Sequence, residues 1–104
     1  MRFGVDILNF SDGATPESLL SRATTAESLG FHSALLSDHV AITPGVRPRY
    51  PEPFYDPFTV LGWLAAQTSR VKLGTTVCVL PYRNPILLAR LTANLDHLSG
   101  GRFI

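Results

Sequence analysis

Two short stretches of the chain pair an acid with a histidine: "LLSDHVAI", which holds Asp38 and His39, and "LDHLSGG", which holds Asp96 and His97. Histidine exchanges a proton most readily near neutral pH, and an adjacent carboxylate can orient it or contact a bound cofactor, so either pair could serve acid/base chemistry. Other chemistries find less support. His32, His39 and His97 have no close metal-ligand spacing, and the single Cys78 offers neither a ligand partner nor an internal disulfide. Arg47, Arg49 and Arg83 could face an anionic substrate or cofactor tail, although arginines in such stretches more commonly solvate the surface.

Which pair matters depends on the elements that hold it. Thr15-Pro16, Asp56-Pro57 and Asn84-Pro85 each place a capping side chain before a proline, the grammar of a helix start. Helices are therefore predicted over about 16 to 29, 57 to 68 and 85 to 98, with Gly30 and Gly100 placed to cap the first and third. The first has one apolar stripe built on Leu19, Ala23 and Ala26. The other two are apolar nearly all round, which suggests cover from beyond the sheet and a subunit interface. Runs with strand character precede them at Arg2 to Leu8, Ser33 to Ser37 and Val71 to Val79, and "RFI" begins a fourth. The order is βαβαβαβ, an α/β fold with a parallel sheet. Residues 38 to 56 form a long connection with four of the eight prolines, and a loop of that length suggests a lid or a substrate-facing segment.

In parallel α/β folds, chemistry gathers where strands hand over to helices. Asp38 and His39 follow the second strand and fall on that face. Asp96 and His97 sit in the last turn of the third helix, where a histidine suits the helix dipole and "SGG" reads as a cap. A phosphate-binding reading of "SGGR" fails because such loops lead into a helix, and this one leads into a strand. Asp38-His39 is the candidate site.

Bulk properties narrow the partners. With 104 residues, 45% hydrophobic and 16% charged content and a net charge of +1, the chain reads as one globular domain with no electrostatic case for nucleic acid or a membrane surface. The start "MRFGVDILNF" lacks signal-peptide grammar and no apolar run reaches bilayer-spanning length, so a cytoplasmic protein is expected.

"LLSDH", "VKLGTTVCVLPYRNP" and "NLDHLSGGRF", in this order and spacing, resemble the luciferase-like monooxygenase superfamily over the whole chain, and "SDHV" is similar to its deazaflavin-dependent oxidoreductase branch. The resemblance implies that residues 1–104 are the N-terminal part, about three and a half βα units, of a TIM-type (β/α)8 barrel, truncated as strand four begins. It implies coenzyme F420 as cofactor, with FMN as the alternative, and hydride transfer to or from a small organic substrate. His39 would be the acid/base group beside Asp38. The cofactor ring would lie against Asp38 and a non-proline cis peptide at Thr76-Val77. A homodimer or larger assembly through helices 57–68 and 85–98 is also implied. Thr43 stands where some members carry an aromatic residue, which disfavours a sugar phosphate. The alternatives are an FMN-dependent monooxygenase and a non-catalytic truncated fragment that only self-associates.

Overall fold

A computed structural model describes residues 1–104. Three short strands, β1 (Gly4–Asp6), β2 (Ser33–Leu36) and β3 (Lys72–Thr75), alternate with three helices, α1 (Pro16–Ser28), α2 (Pro57–Gln67) and α3 (Pro85–Leu98). The strands pair in parallel in the order β1-β2-β3. Leu73 of β3 bridges Phe103 in parallel, so a fourth strand begins there as expected.

All three helices start where a capping side chain meets a proline. Thr15 and Ser18 form a reciprocal capping box at α1. Asp56 accepts from the Thr59 N–H at α2, and Asn84 accepts from the Ile86 and Leu87 N–H groups at α3. Each cap satisfies donors that the helix itself leaves free. At the far ends, Gly30 and Gly100 adopt φ of 79° and 71°, a left-handed conformation that favours glycine.

The strands are shorter than expected at both ends. Pairing continues past β1, with the His32 N–H donating to Phe3 O and the Ile7 N–H to Leu35 O. After β3 the Thr76 N–H still donates to Leu36 O, and then the chain leaves the sheet and closes a 3₁₀ turn over Leu80–Tyr82. The expected strand over Val71 to Val79 thus ends at Thr75. Its β-branched run signals extended backbone but not where the ladder stops.

Alternation divides the sheet into two faces. Ile7, Ala34, Leu36 and Leu73 are buried against Leu19 and Ala23 of α1 and Leu61 and Leu64 of α2, forming one core. Gly4, Asp6, Ser33, Leu35 and Gly74 alternate with them onto the other face. There a Cβ on Gly74 would lie 2.6 Å from Ile104 O, so only glycine lets the fourth strand approach. That face is concave. Thr76 Oγ1, just past β3, lies 3.5 Å from Asp6 Oδ1 on β1, although β2 runs between them and two strand spacings amount to about 10 Å.

The helix-to-strand side is closed by charged side chains that the sequence does not advertise. Glu27, at the end of α1, accepts from the Ser69, Arg70 and Val71 N–H groups at 2.9, 2.6 and 2.9 Å. Buried Arg102 donates to the carbonyls of Ala65, Val71 and Ser99 and to the Thr68 hydroxyl. Partial desolvation pushes the Glu27 pKa up, but the Val71, Arg70 and Ser69 donors outweigh it and hold it at about 2. Because the folded value lies below the ordinary one, Glu27 stabilises the fold fully above about pH 4.5, and that contribution is lost as pH falls toward 2. Glu27→Gln should therefore weaken the fold at pH 7 and flatten the acid limb of a urea-denaturation series between pH 5 and 2. An unchanged limb would assign acid sensitivity to other groups.

Candidate functional site

The residues expected to do chemistry collect at the carboxyl ends of β2 and β3. Asp38 follows β2 by two residues, and its side chain is 0% exposed. One carboxylate oxygen accepts from the Val79 N–H at 2.9 Å and from Arg83 Nε at 3.1 Å, and the other accepts from Arg83 Nη2 at 2.6 Å. Arg83 also donates to Asp56 Oδ1 at 2.8 Å, and its guanidinium lies 4.6 Å from the centre of the Phe58 ring. This two-point grip suits a planar guanidinium and makes a buried carboxylate tolerable.

The charge network spans three elements: the end of β2, the turn after β3, and the cap of α2. Hydrogen bonding to Asp38, opposed by desolvation, raises the Arg83 pKa above its already high value. Desolvation pushes Asp56 up, but the Arg83 and Thr59 bonds outweigh it and leave its pKa lowered. Burial, with Asp38 nearby, pushes the Cys78 thiol up, so Cys78 is a poor thiolate here. Arg83 is accordingly held inside the protein by two carboxylates and does not project toward an anionic ligand. Arg47 and Arg49 are exposed, with Arg49 5.5 Å from the centre of the Tyr50 ring.

His39 faces a different environment from Asp38. Its ring centre lies 4.3 Å from that of Tyr50 and 5.4 Å from that of Phe54, the latter edge-on. Phe10, after β1, stacks on Phe54 at 5.1 Å and meets Tyr50 edge-on at 5.4 Å. The long connection thus folds back over His39 as an aromatic wall, fastened by the Ser11 N–H donating to Pro53 O and by a bridge between Phe10 and Phe54. Asp38 spends its bonds on Val79 and Arg83, and neither oxygen reaches His39.

One organising residue escaped the sequence reading. Asn9 is fully buried; its Nδ2 donates to Ser37 O at 2.9 Å and to Tyr55 O at 2.8 Å, and its Oδ1 accepts from the Ser37 N–H. It ties the ends of β1 and β2 to the long connection just before Asp38. Its only signal is a polar residue between Leu8 and Phe10 at the end of an apolar run.

Thr76 and Val77 lie beside this network, joined by a cis peptide bond as the resemblance implies. The Thr76 N–H is held by Leu36 O and the Val79 N–H by Asp38, while the Val77 side chain between them is 73% exposed. The other Asp-His pair is elsewhere: His97 is exposed in the last turn of α3, and Gly100 and Gly101 carry the chain toward β3's far edge.

Comparison with known proteins agrees with this layout. Residues 1–104 match the family model described as luciferase-like monooxygenase. An uncharacterized Mycobacterium tuberculosis protein is 32% identical over 98% of this chain and 39% of its own length. An F420-dependent glucose-6-phosphate dehydrogenase of Intrasporangium calvum is 37% identical over 86% of this chain and 26% of its own length. The solved coenzyme F420-dependent tetrahydromethanopterin reductase of Methanopyrus kandleri superposes with a TM-score of 0.78 and 30% identity, covering 99% of this chain and 25% of that one. The chain spans about two fifths or less of the lengths of these proteins. Its parallel strands are accordingly part of a TIM-type barrel, and the chain belongs to the luciferase-like monooxygenase family.

Proposed function

We propose that this chain carries the cofactor-facing strands of a deazaflavin-dependent oxidoreductase, which transfers hydride between coenzyme F420 and a small organic substrate. The observation that supports this most is the Thr76–Val79 turn. It presents an exposed aliphatic side chain at the carboxyl ends of the strands on a backbone held from two sides, a rigid apolar seat suited to one face of a planar ring. Thr76 and Val77 would hold that ring, with Asp38 acting through the Val79 N–H to keep the seat in place. The bound deazaflavin would supply the hydride chemistry; the chain supplies orientation and proton control. His39, with its ring fixed by Tyr50 and Phe54, is the group that takes or returns the substrate proton.

FMN presents a similar tricyclic ring, so the competing reading is a flavin-dependent monooxygenase using the same seat. Titration with each reduced cofactor separates them: the deazaflavin should bind more tightly by at least about tenfold, or about 1.4 kcal/mol. Preference for reduced FMN, with oxygen consumption, would establish the monooxygenase reading instead.

The assembly completes the proposal. Ile86 and Leu98 of α3 are each 81% exposed, and Leu87 and Leu91 are also exposed. A second copy of the chain is the proposed cover for this apolar face. Leu91→Glu combined with Leu98→Glu should convert an associated species to monomer in sedimentation velocity. A wild-type monomer at micromolar concentration would contradict the proposed interface. No helix is long and apolar enough to cross a membrane.

A further inference from the structure

The carboxylate that the sequence singled out is fully occupied, and a second one at the same end of the sheet is not. Asp38 is closed off by Arg83 and the Val79 N–H. Asp6, the last residue of β1, stands on the concave face, exposed, and its only side-chain partner is the Thr76 hydroxyl at the 3.5 Å limit of a hydrogen bond. No cation pairs with it. Arg22, on α1, lines the same edge of β1, but its guanidinium donates to Leu8 O. Lys72, lower on the concave face, donates to Gly101 O. Arg83 is bound to Asp38 and Asp56.

We infer that Asp6 is a second proton-exchanging group of the site, placed from β1 against a molecule seated on the Thr76–Val77 turn. This rests on the hydride-transfer reading above. Reduction of a substrate C=X bond takes one hydride, from the reduced deazaflavin, and one proton. Asp6 in its acid form gives that proton to the heteroatom or to a relay ending there, becomes a carboxylate, and is reprotonated from water; oxidation runs in reverse. Partial burial raises the Asp6 pKa, opposed by the weak Thr76 bond, which increases the fraction of acid available. A bound ring would displace more water from the concave face and favour the acid form further. His39 and Asp6 approach from different strands, so substrate and proton donor need not share one side of the ring.

The test compares wild type with Asp6→Asn, Asp6→Glu and Thr76→Val, using carboxyl carbon NMR titration of Asp6 with and without oxidised F420, and single-turnover hydride transfer from reduced F420. The titration should show Asp6 above the ordinary aspartate value and move it higher when F420 binds. Asp6→Asn, which keeps the side-chain shape, should lower the transfer rate by about 100-fold or more with F420 affinity changed less than about twofold. Asp6→Glu should recover part of the rate with a displaced pH profile. Thr76→Val, read by the cofactor-free titration alone, should raise the Asp6 midpoint. An unchanged rate in Asp6→Asn overturns the role, and so does an equal loss of affinity that Asp6→Glu fails to rescue. An ordinary Asp6 titration that F420 leaves unmoved also overturns it. Wild type that binds F420 but transfers no hydride overturns the hydride-transfer reading together with this role, whereas loss confined to Asp6 variants supports both.

Discussion

Replacing Arg83 by Met should destabilise the fold by about 3 to 5 kcal/mol, the largest loss expected from any single substitution outside the apolar core. The cost comes less from the lost attraction than from what remains. The Asp38 carboxylate, with a 0% exposed side chain, would keep only the Val79 N–H, and Asp56 would lose its guanidinium partner while keeping its Thr59 bonds at the head of α2. The aliphatic part of Met can still cover the Phe58 ring, so packing losses stay small and the deficit reports the uncompensated charge. Arg83→Lys should recover only part, since an ammonium cannot grip both carboxylate oxygens in one plane. Urea denaturation at pH 7 measures this. A loss below about 1 kcal/mol would mean that water reaches Asp38 in solution and that the network is not the hub described above.

The second large effect concerns activity. His39→Ala should lower hydride-transfer turnover by about 100-fold to 10,000-fold while leaving F420 affinity within about threefold. Stability should fall only modestly, because the ring is half-buried and its contacts are to Tyr50 and Phe54 on the long connection. His39→Gln should be nearly as slow, which separates loss of proton exchange from loss of packing. Steady-state and single-turnover kinetics with reduced F420 supply the measurement. Turnover unchanged in both variants would remove His39 from the chemistry and leave the aromatic wall as its sole function.

These two residues show what a sequence carries and what it omits. The helix starts were legible because cap and proline are neighbours in the chain: Thr15-Pro16, Asp56-Pro57 and Asn84-Pro85 each open a helix. The face on which Asp38 and His39 fall was legible because strand-helix alternation fixes it. The partners of Asp38 were not, since Arg83 lies 45 positions away and nothing local distinguishes it from Arg47 or Arg49. Glu27 and Asn9 were missed for the same reason, as each satisfies backbone groups of a segment distant in sequence. Strand ends were blurred because the β-branched Thr75, Thr76, Val77 and Val79 extend the strand pattern past Thr75, whereas the ladder stops where neighbouring backbone runs out. The cis bond at Thr76–Val77 came from family resemblance and from no property of those two residues.

The site therefore has a division of labour that composition alone does not suggest. Asp38 and Arg83 hold the turn, and His39 is held by aromatic rings from a loop that also reaches β1 through Phe10. Each of these arrangements is made within the 104 residues described, on the same end of the sheet.

Backbone amide NMR of this chain titrated with oxidised F420 tests whether a deazaflavin ring seats on the Thr76–Val79 turn. A ring seated there should give saturable shifts at Ser37 to His39, Thr76 to Val79 and Asp6, with Ser69 to Val71 and Gly30 at the opposite end of the sheet unmoved. FMN at equal concentration should give smaller shifts at the same positions. Shifts confined to the Glu27 side, no saturable shift anywhere, or stronger shifts with FMN would contradict it.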